Sequence, residues 1–444
     1  MPENRMIYSW ADQQYNNTFK STIGFTQLLS VKPEYISDEL YGNLSKRISL
    51  IHDFQDICID IFRSALKNND QELLHWLLNE TPESFGIEYH KRLDDCHYTK
   101  PVFFRTDEMG LGKIVEVQCP GSLWGELQLL YNFYAAGRID VPETSPAKEF
   151  SEQLIQYLCV EPSAYENLDE KPTVHYLLDN ASAPAGVRYF IQETTPYIRY
   201  WGLDSSIQKA DDCQFIRSHS FFGLCGENYF NERVRNLKNG IPGKKNTIHK
   251  FKFDFPPYVL FDQKATLALP FWSKTRKFFN DELRNLFVFS SPIINETLEL
   301  EDGICSIEEF SKRPQSLRGY YLKYAGSDVS INWGSKAVTR LSNIGSEKCL
   351  LILKKCIEEG KKGKIWLIQK EYNEKKEVVF WNRNNIQEKN LFNAKTSCFY
   401  GPFGLLGIVV SYRKHYKVHG QPETIIGAIF PKKMSWIFDI VNNK

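Results

Sequence analysis

Phe103-Phe104-Arg105-Thr106-Asp107-Glu108-Met109-Gly110-Leu111-Gly112-Lys113-Ile114-Val115-Glu116-Val117-Gln118-Cys119-Pro120-Gly121 reads as a β-hairpin. The first strand carries Arg105 and Asp107 at alternate positions, and glycines 110 and 112 mark the turn. The second strand sets Ile114, Glu116 and Gln118 against Val115 and Val117. Asp107, Glu116 and Gln118 therefore converge on one face beside Arg105. Hard oxygen donors next to a guanidinium suit Mg²⁺ carrying a nucleoside triphosphate. Taken alone, the segment is better read as an ordinary amphipathic ribbon with a charged, solvated face. The choice between the two turns on the rest of the chain.

At 444 residues the chain is long enough for about two to four lobes. A hydrophobic fraction of 42% with 14% aromatics can fill them, which excludes a disordered protein. Lys+Arg 55 against Asp+Glu 54 leaves no global field for nucleic acid or an anionic membrane. The opening Met1-Pro2-Glu3-Asn4-Arg5 lacks the apolar core of a signal peptide, and no apolar run is long enough to span a bilayer. Ten cysteines form no CxxC pair, which points to buried free thiols in a reducing, cytoplasmic compartment.

Working outward from the hairpin, residues 1–35 read as a polar and aromatic arm. From Ser37 a capped helix carries the stripe Leu44, Ile48, Ile51, Phe54, Cys58, Ile61 and Phe62. Asn69-Asp70 opens another with Leu73, Leu74, Leu77 and Leu78; His75 and His90 read as structural. After the hairpin, Leu123–Tyr134 forms a helical face closed by Gly137, and Ser145-Pro146 starts a helix running to about Val160. Residues 173–220 alternate strand, helix and strand, a βαβ unit with a small parallel sheet. Its turn, Asp179–Gly186, has no GxGxxG, so a dinucleotide site is unsupported. The loop 238–250 reads as a basic connector. Near the end, Gly404–Ser411 reads as a buried strand and Arg413, His415 and His419 as a basic tip. That tip is either solvated or able to hold an anion, and as metal ligands the histidines lack a third partner.

Three downstream segments decide the matter. Val259-Leu260-Phe261 reads as an apolar strand delivering Asp262 and Lys264 to the helical stretch that follows, with Phe278, Phe279, Leu283, Leu286 and Phe287 as its amphipathic continuation. Tyr320–Tyr324 reads as an aromatic strand carrying Lys323, followed by the Gly326–Gly334 loop and a return strand at 337–341; small residues there suit a lid over phosphates. A helix over 347–359 then leads to the strand Ile365–Tyr372, which breaks into Gln369-Lys370-Glu371 and can offer backbone groups to an adenine edge.

In this order the segments resemble the ATP-grasp ligases, most closely the glutathionylspermidine synthase-like branch. That family has Arg-x-Asp, a glycine-containing turn and Glu-x-Asn; this chain has Arg105-Thr106-Asp107 and Glu116-Val117-Gln118. The family's first lysine lies in Asn-Lys-Ala before Leu-Pro and Trp, matched by Gln263-Lys264-Ala265 and Leu269-Pro270-Phe271-Trp272. Its second precedes a glycine-rich lid, matched by Lys323 and Gly326, and its hinge glutamine by Gln369. The resemblance covers roughly 100–135 and 258–375. The chain departs from it at Gln118, at Tyr324 where proline is common, and in a lid with fewer glycines and Asp328.

The resemblance implies an α/β (α+β) ATP-grasp fold whose metal-binding hairpin precedes the lysine-bearing lobes. The expected parts are an N-terminal helical region (1–100), the metal-binding part (101–162), a βαβ substrate lobe (163–256), a nucleotide lobe with lid (257–380) and a C-terminal β part (381–444). It implies an ATP-dependent carboxylate–amine ligase working through an acyl phosphate. Asp107, Glu116 and Gln118 would hold Mg²⁺, and Arg105 would stabilise the transferred phosphoryl group. Lys264, Lys323, Gly326, Ser327, Gln369, Lys370 and Glu371 would bind ATP. The partners would be small-molecule or peptide carboxylates and amines, not nucleic acid or membrane. The alternatives are a degenerate ATP-grasp nucleotide binder with a regulatory or scaffold role, and an ATP-grasp phosphotransferase.

Overall fold

The computed structural model describes residues 28–81, 86–91, 93, 98–118, 123–137, 139–158, 173–177, 185–200, 215–218, 252–254, 258–261, 263–328, 331, 337–381, 387–415 and 424–432. Residues 1–27 of the expected arm, the 178–184 turn, the 238–250 loop, Asp262, most of the expected lid and His419 lie outside them.

The hairpin strands, Phe104–Glu108 and Ile114–Gln118, form one edge of an eight-stranded sheet. Outward from them lie Gln387–Gly401, Gly404–Arg413, Ile425–Pro431 and Leu28–Leu29. Lys375–Trp381 also pairs with the 387–401 strand, and Glu34–Ile36 with the 425–431 strand. The inner strands Gly404–Arg413 and Ile425–Pro431 are covered on both faces and run apolar at most positions, whereas the hairpin and the 387–401 strand mix apolar with charged and polar residues. Cys398, Tyr400, Ile408 and Val410 pack on one face with the N-terminal helices and with residues 258–261 and 265–272. Phe399, Leu406 and Val409 pack on the other with helices Trp124–Ala136 and Pro146–Leu158.

The N-terminal stripe is two helices, Asp38–Lys46 and Ile48–Asn68, joined at Arg47. Ser37 caps the first through the Leu40 N–H, and Asp70 caps Gln71–Leu78 through Leu73. The expected strand at 259–261 is a 3₁₀ turn, followed by another at Ala265–Ala268. Tyr258 to Phe261 are all buried, and an apolar run without a period does not separate a strand from a buried helical turn. The helix expected over 278–287 is confined to Asp281–Leu286, capped by Asn280, with Phe278 on the surface.

Lys323 lies on an antiparallel sheet ordered Val338–Arg340, Tyr320–Tyr324, Trp366–Lys370, Ser290–Ile293. Helices Ile307–Lys312 and Ser346–Gly360 cover one face through Phe310, Leu353 and Cys356 against Leu322 and Ile368. The first opens on a Ser306–Glu309 capping box. The βαβ region forms a parallel sheet ordered Arg199–Tyr200, Thr173–Leu177, Phe215–Ser218, Lys252–Phe253. Its helix, Ala185–Thr194, meets Trp124–Ala136 so closely that a Cβ on Gly125 would lie 2.0 Å from the Gly186 carbonyl oxygen. Among the described residues no helix is long and apolar enough to cross a membrane, and Cys58, Cys305, Cys349, Cys356 and Cys398 are free thiols.

Candidate active site

The hairpin closes through Gly110, whose φ of +69° is the left-handed conformation glycine adopts without strain. Antiparallel pairing sets Arg105 opposite Gln118 and Asp107 opposite Glu116, so all four side chains share one face. Arg105 is fully buried; its Nε donates to Asp107 Oδ1 at 2.9 Å and its Nη2 to Oδ2 at 3.3 Å. Nη2 also donates to Gln118 Oε1, and Gln118 Nε2 donates to Glu116 Oε1 at 2.8 Å. A guanidinium only donates and a carboxylate only accepts, so this orientation of the amide is chemically determined.

Three lysines reach this face from separate segments. Lys264 Nζ lies 3.0 Å from Glu116 Oε1, and its backbone N–H donates to Ala325 O at 3.1 Å. Lys395, on the 387–401 strand, donates to Asp107 Oδ2 at 2.7 Å, and Ser397 donates to Oδ1 at 2.8 Å. Lys323 donates to Gln369 Oε1; the Gln369 amide donates to Val115 O at 3.2 Å and Ser290 Oγ at 3.0 Å, tying the lysine sheet to the hairpin. Among the described residues, four cations thus meet Asp107 and Glu116, with Glu126 also near Arg105, so positive charge exceeds negative. Burial opposes the Glu116 carboxylate, as does Asp107. Lys264 foremost, with Lys323 and Lys395, nevertheless holds its pKa below the ordinary value. Burial first, then Lys264 and Lys395, lowers Lys323 to about 8 against the pull of Glu116 and Asp107.

The remaining expected nucleotide residues divide. Ser327 borders the seam, its N–H and Oγ each 3.2 Å from Asn79 Oδ1, while Gly326 packs against the Tyr324 hydroxyl. Gln369 is interior and bonded to protein on both ends of its amide, not at an adenine edge. Lys370 points the other way, to Glu301, and Glu371 pairs with Arg340. The backbone N–H groups of Lys370 and Glu371 donate to Phe289 O and Gly319 O, both at 2.8 Å, so neither is left for a base.

As ligands for Mg²⁺, the three oxygen-bearing side chains differ. Asp107 accepts from Arg105 twice, Lys395 and Ser397, which fills a carboxylate's four acceptor sites. The Gln118 oxygen is turned to Arg105. Glu116 takes both its contacts on Oε1, leaving Oε2 for a ligand. Among the described residues no group of three or more His, Cys, Asp or Glu side chains forms a metal cluster. The seam therefore suits a magnesium that arrives on a polyphosphate and meets Glu116, and does not suit one held by Asp107 as it stands.

Sequence reading missed Lys395, Ser397, Asn79 and Glu126. The first two lie on a strand that pairs with the hairpin only in the folded chain, Ser397 directly opposite Asp107. Asn79 looks like a helix end, and nothing local marks its 248-residue reach to Ser327. Burial raises the Glu126 carboxyl despite its backbone N–H and Arg105, and no spacing marks it.

No protein-family model matches the chain. No curated protein matches it either. Among solved structures it is similar to a glutathione synthetase-like effector from Globodera pallida in apo form, at 14% identity and a TM-score of 0.49, covering 97% of each chain. It is also similar to a provisionally assigned gamma-glutamylcysteine synthetase from Methylobacillus flagellatus, at 10% identity and a TM-score of 0.31, covering 81% of this chain and 86% of that one. At these scores the likenesses assign this chain neither a fold family nor an activity.

Proposed function

We propose that the chain is an ATP-dependent ligase joining the carboxylate of a small molecule or peptide to an amine. The supporting observation is the seam itself: Arg105, Lys264, Lys323 and Lys395, from four strands and turns, around Asp107 and Glu116. Such a surplus of positive charge among largely buried side chains suits a polyphosphate. The substrate carboxylate attacks the γ-phosphorus and ADP leaves; the amine then attacks the acyl carbon, phosphate leaves, and the amine gives up a proton. Lys264 and Lys323 bind the phosphates, and Arg105 holds Asp107 and Gln118 in register. Magnesium supplies, when bound, neutralisation of the phosphate charge beside Glu116.

The test is incubation with Mg·ATP and pools of amino acids, peptides and polyamines, followed for ADP and for a new amide by mass. ADP with an amide supports the proposal; the absence of any nucleotide binding sinks it. The filled acceptor sites of Asp107 favour a second reading, a nucleotide binder that does not turn over. Nucleotide binding without product from any pool would select it.

A further inference from the structure

Lys395 is the one cation of the seam carried by the long central strand of the large sheet. Ser397 faces Asp107 directly across the ladder, and Lys395, two residues along the same face, reaches it diagonally. Its ammonium sits 2.7 Å from Asp107 Oδ2, with 12% of its side chain exposed against 2% for Asp107. The other donors to Asp107 are fixed more firmly. Arg105 is fully buried and held twice by Asp107 and once by Gln118, and Ser397 is fully buried. Lys395 is the donor at the open edge.

We propose that the Lys395 ammonium is a built-in substitute for a divalent cation on Asp107, so that a metal enters this seam through Glu116 alone. A magnesium ion needs oxygen ligands at about 2.0–2.1 Å in near-octahedral array, and Asp107 has no acceptor site left for it while Lys395 is in place. An ammonium supplies one fixed positive charge at hydrogen-bond distance and needs no coordination shell. The chain would then work with one bound divalent cation where Asp107 and Glu116 together would otherwise hold two. The nucleotide-bound form of this inference rests on the ligase reading; the nucleotide-free form does not.

The test uses Mn²⁺ as probe, with free ion followed by electron paramagnetic resonance on the full chain. Without nucleotide, Lys395→Asn should gain one Mn²⁺ site per chain at least tenfold tighter than any in the wild type. Lys395→Arg, which keeps a cation, should gain none, and adding Asp107→Asn to Lys395→Asn should abolish the new site. With a non-hydrolysable ATP analogue, the wild type should bind one Mn²⁺ per chain and Lys395→Asn two. Two Mn²⁺ in the wild type, or no gain in a folded Lys395→Asn, overturns the inference. If the analogue does not bind at all, the ligase reading fails, and the nucleotide-free titration still decides the role of Lys395.

Discussion

The strand Phe104–Glu108 carries a buried arginine–carboxylate pair on each face, and the two are built differently. Toward helices Trp124–Ala136 and Pro146–Leu158, Arg105 and Asp107 are joined by Lys395, Lys264 and Lys323, so among the described residues positive charge exceeds negative. Toward the N-terminal helices, Glu108 pairs with Arg47 at 3.0 Å, one charge for one, with Thr106 donating to Glu108 at 2.9 Å. Phe104, Cys398 and Tyr400 share that face in the apolar core. A balanced pair enclosed by apolar groups holds two layers together. An unbalanced cluster at the junction of separate segments is where the proposed function would have an anion received. The same strand, alternating at period two, carries both arrangements.

The largest effect should come from breaking the balanced pair. Arg47→Met leaves Glu108 charged and buried without its partner, which costs about 3–5 kcal/mol. Urea unfolding should show this loss while nucleotide affinity in the folded protein stays within twofold. A collapse of affinity with intact stability would erase the distinction between the faces.

On the unbalanced face, Glu116→Gln removes the carboxylate with an oxygen left for a ligand. Turnover to ADP should fall on the order of 100-fold or more, about 3 kcal/mol in the barrier. Thermal unfolding should move little, because the amide oxygen still accepts from Lys264 and Gln118. Activity within threefold of the wild type would remove Glu116 from the chemistry.

The third prediction uses pH. Lys323 is lowered to about 8, so in the free protein it loses its proton as pH rises through that value. A bound phosphate favours the charged form and raises the pKa, so binding above pH 8 must draw in a proton. Affinity for nucleotide should therefore hold from pH 6 to 7.5 and fall by up to roughly tenfold per unit above pH 8, about 1.4 kcal/mol. Lys323→Arg, which stays charged, should flatten the profile; an unchanged slope in that variant would detach Lys323 from the phosphates.

How much of this could be read from the chain alone follows the range of the interactions. The shared face of Arg105, Asp107, Glu116 and Gln118 is a period-two pattern within fourteen residues, and it was legible. So were the caps at Ser37 and Asp70, which act over three residues. The two 3₁₀ turns, Val259–Phe261 and Ala265–Ala268, were not, because an apolar run buried on all sides has no period to read. Nor was the filling of Asp107 by Lys395 and Ser397, since a lysine and a serine spaced by one on a strand occur wherever a strand meets water. The inward turn of Gln369 also needed the neighbouring strand, because its amide is satisfied by Val115 and Ser290, far away in sequence.

The smallest predicted effect concerns a link between the two layers. Asn79 adopts φ 36° and ψ −124°, outside the conformations ordinary side chains prefer, yet its amide bonds Gln263 and receives Glu80 and Ser327. Such strain persists only where neighbours over-determine it, and here they are the residue before Lys264 and the first turn after Lys323. Asn79→Gly relieves about 1–3 kcal/mol of backbone strain, offset by the lost hydrogen bonds and by the greater entropy of glycine in the unfolded chain, so stability should change by less than about 1 kcal/mol. Asn79→Ala keeps the strain and loses the bonds, and should cost about 1–3 kcal/mol. Both should weaken nucleotide binding by the same few-fold, because both release Ser327. Equal affinity losses with unequal stabilities would place Asn79 on the side of the receiving face. Affinity that tracks stability would instead return it to the balanced scaffold behind.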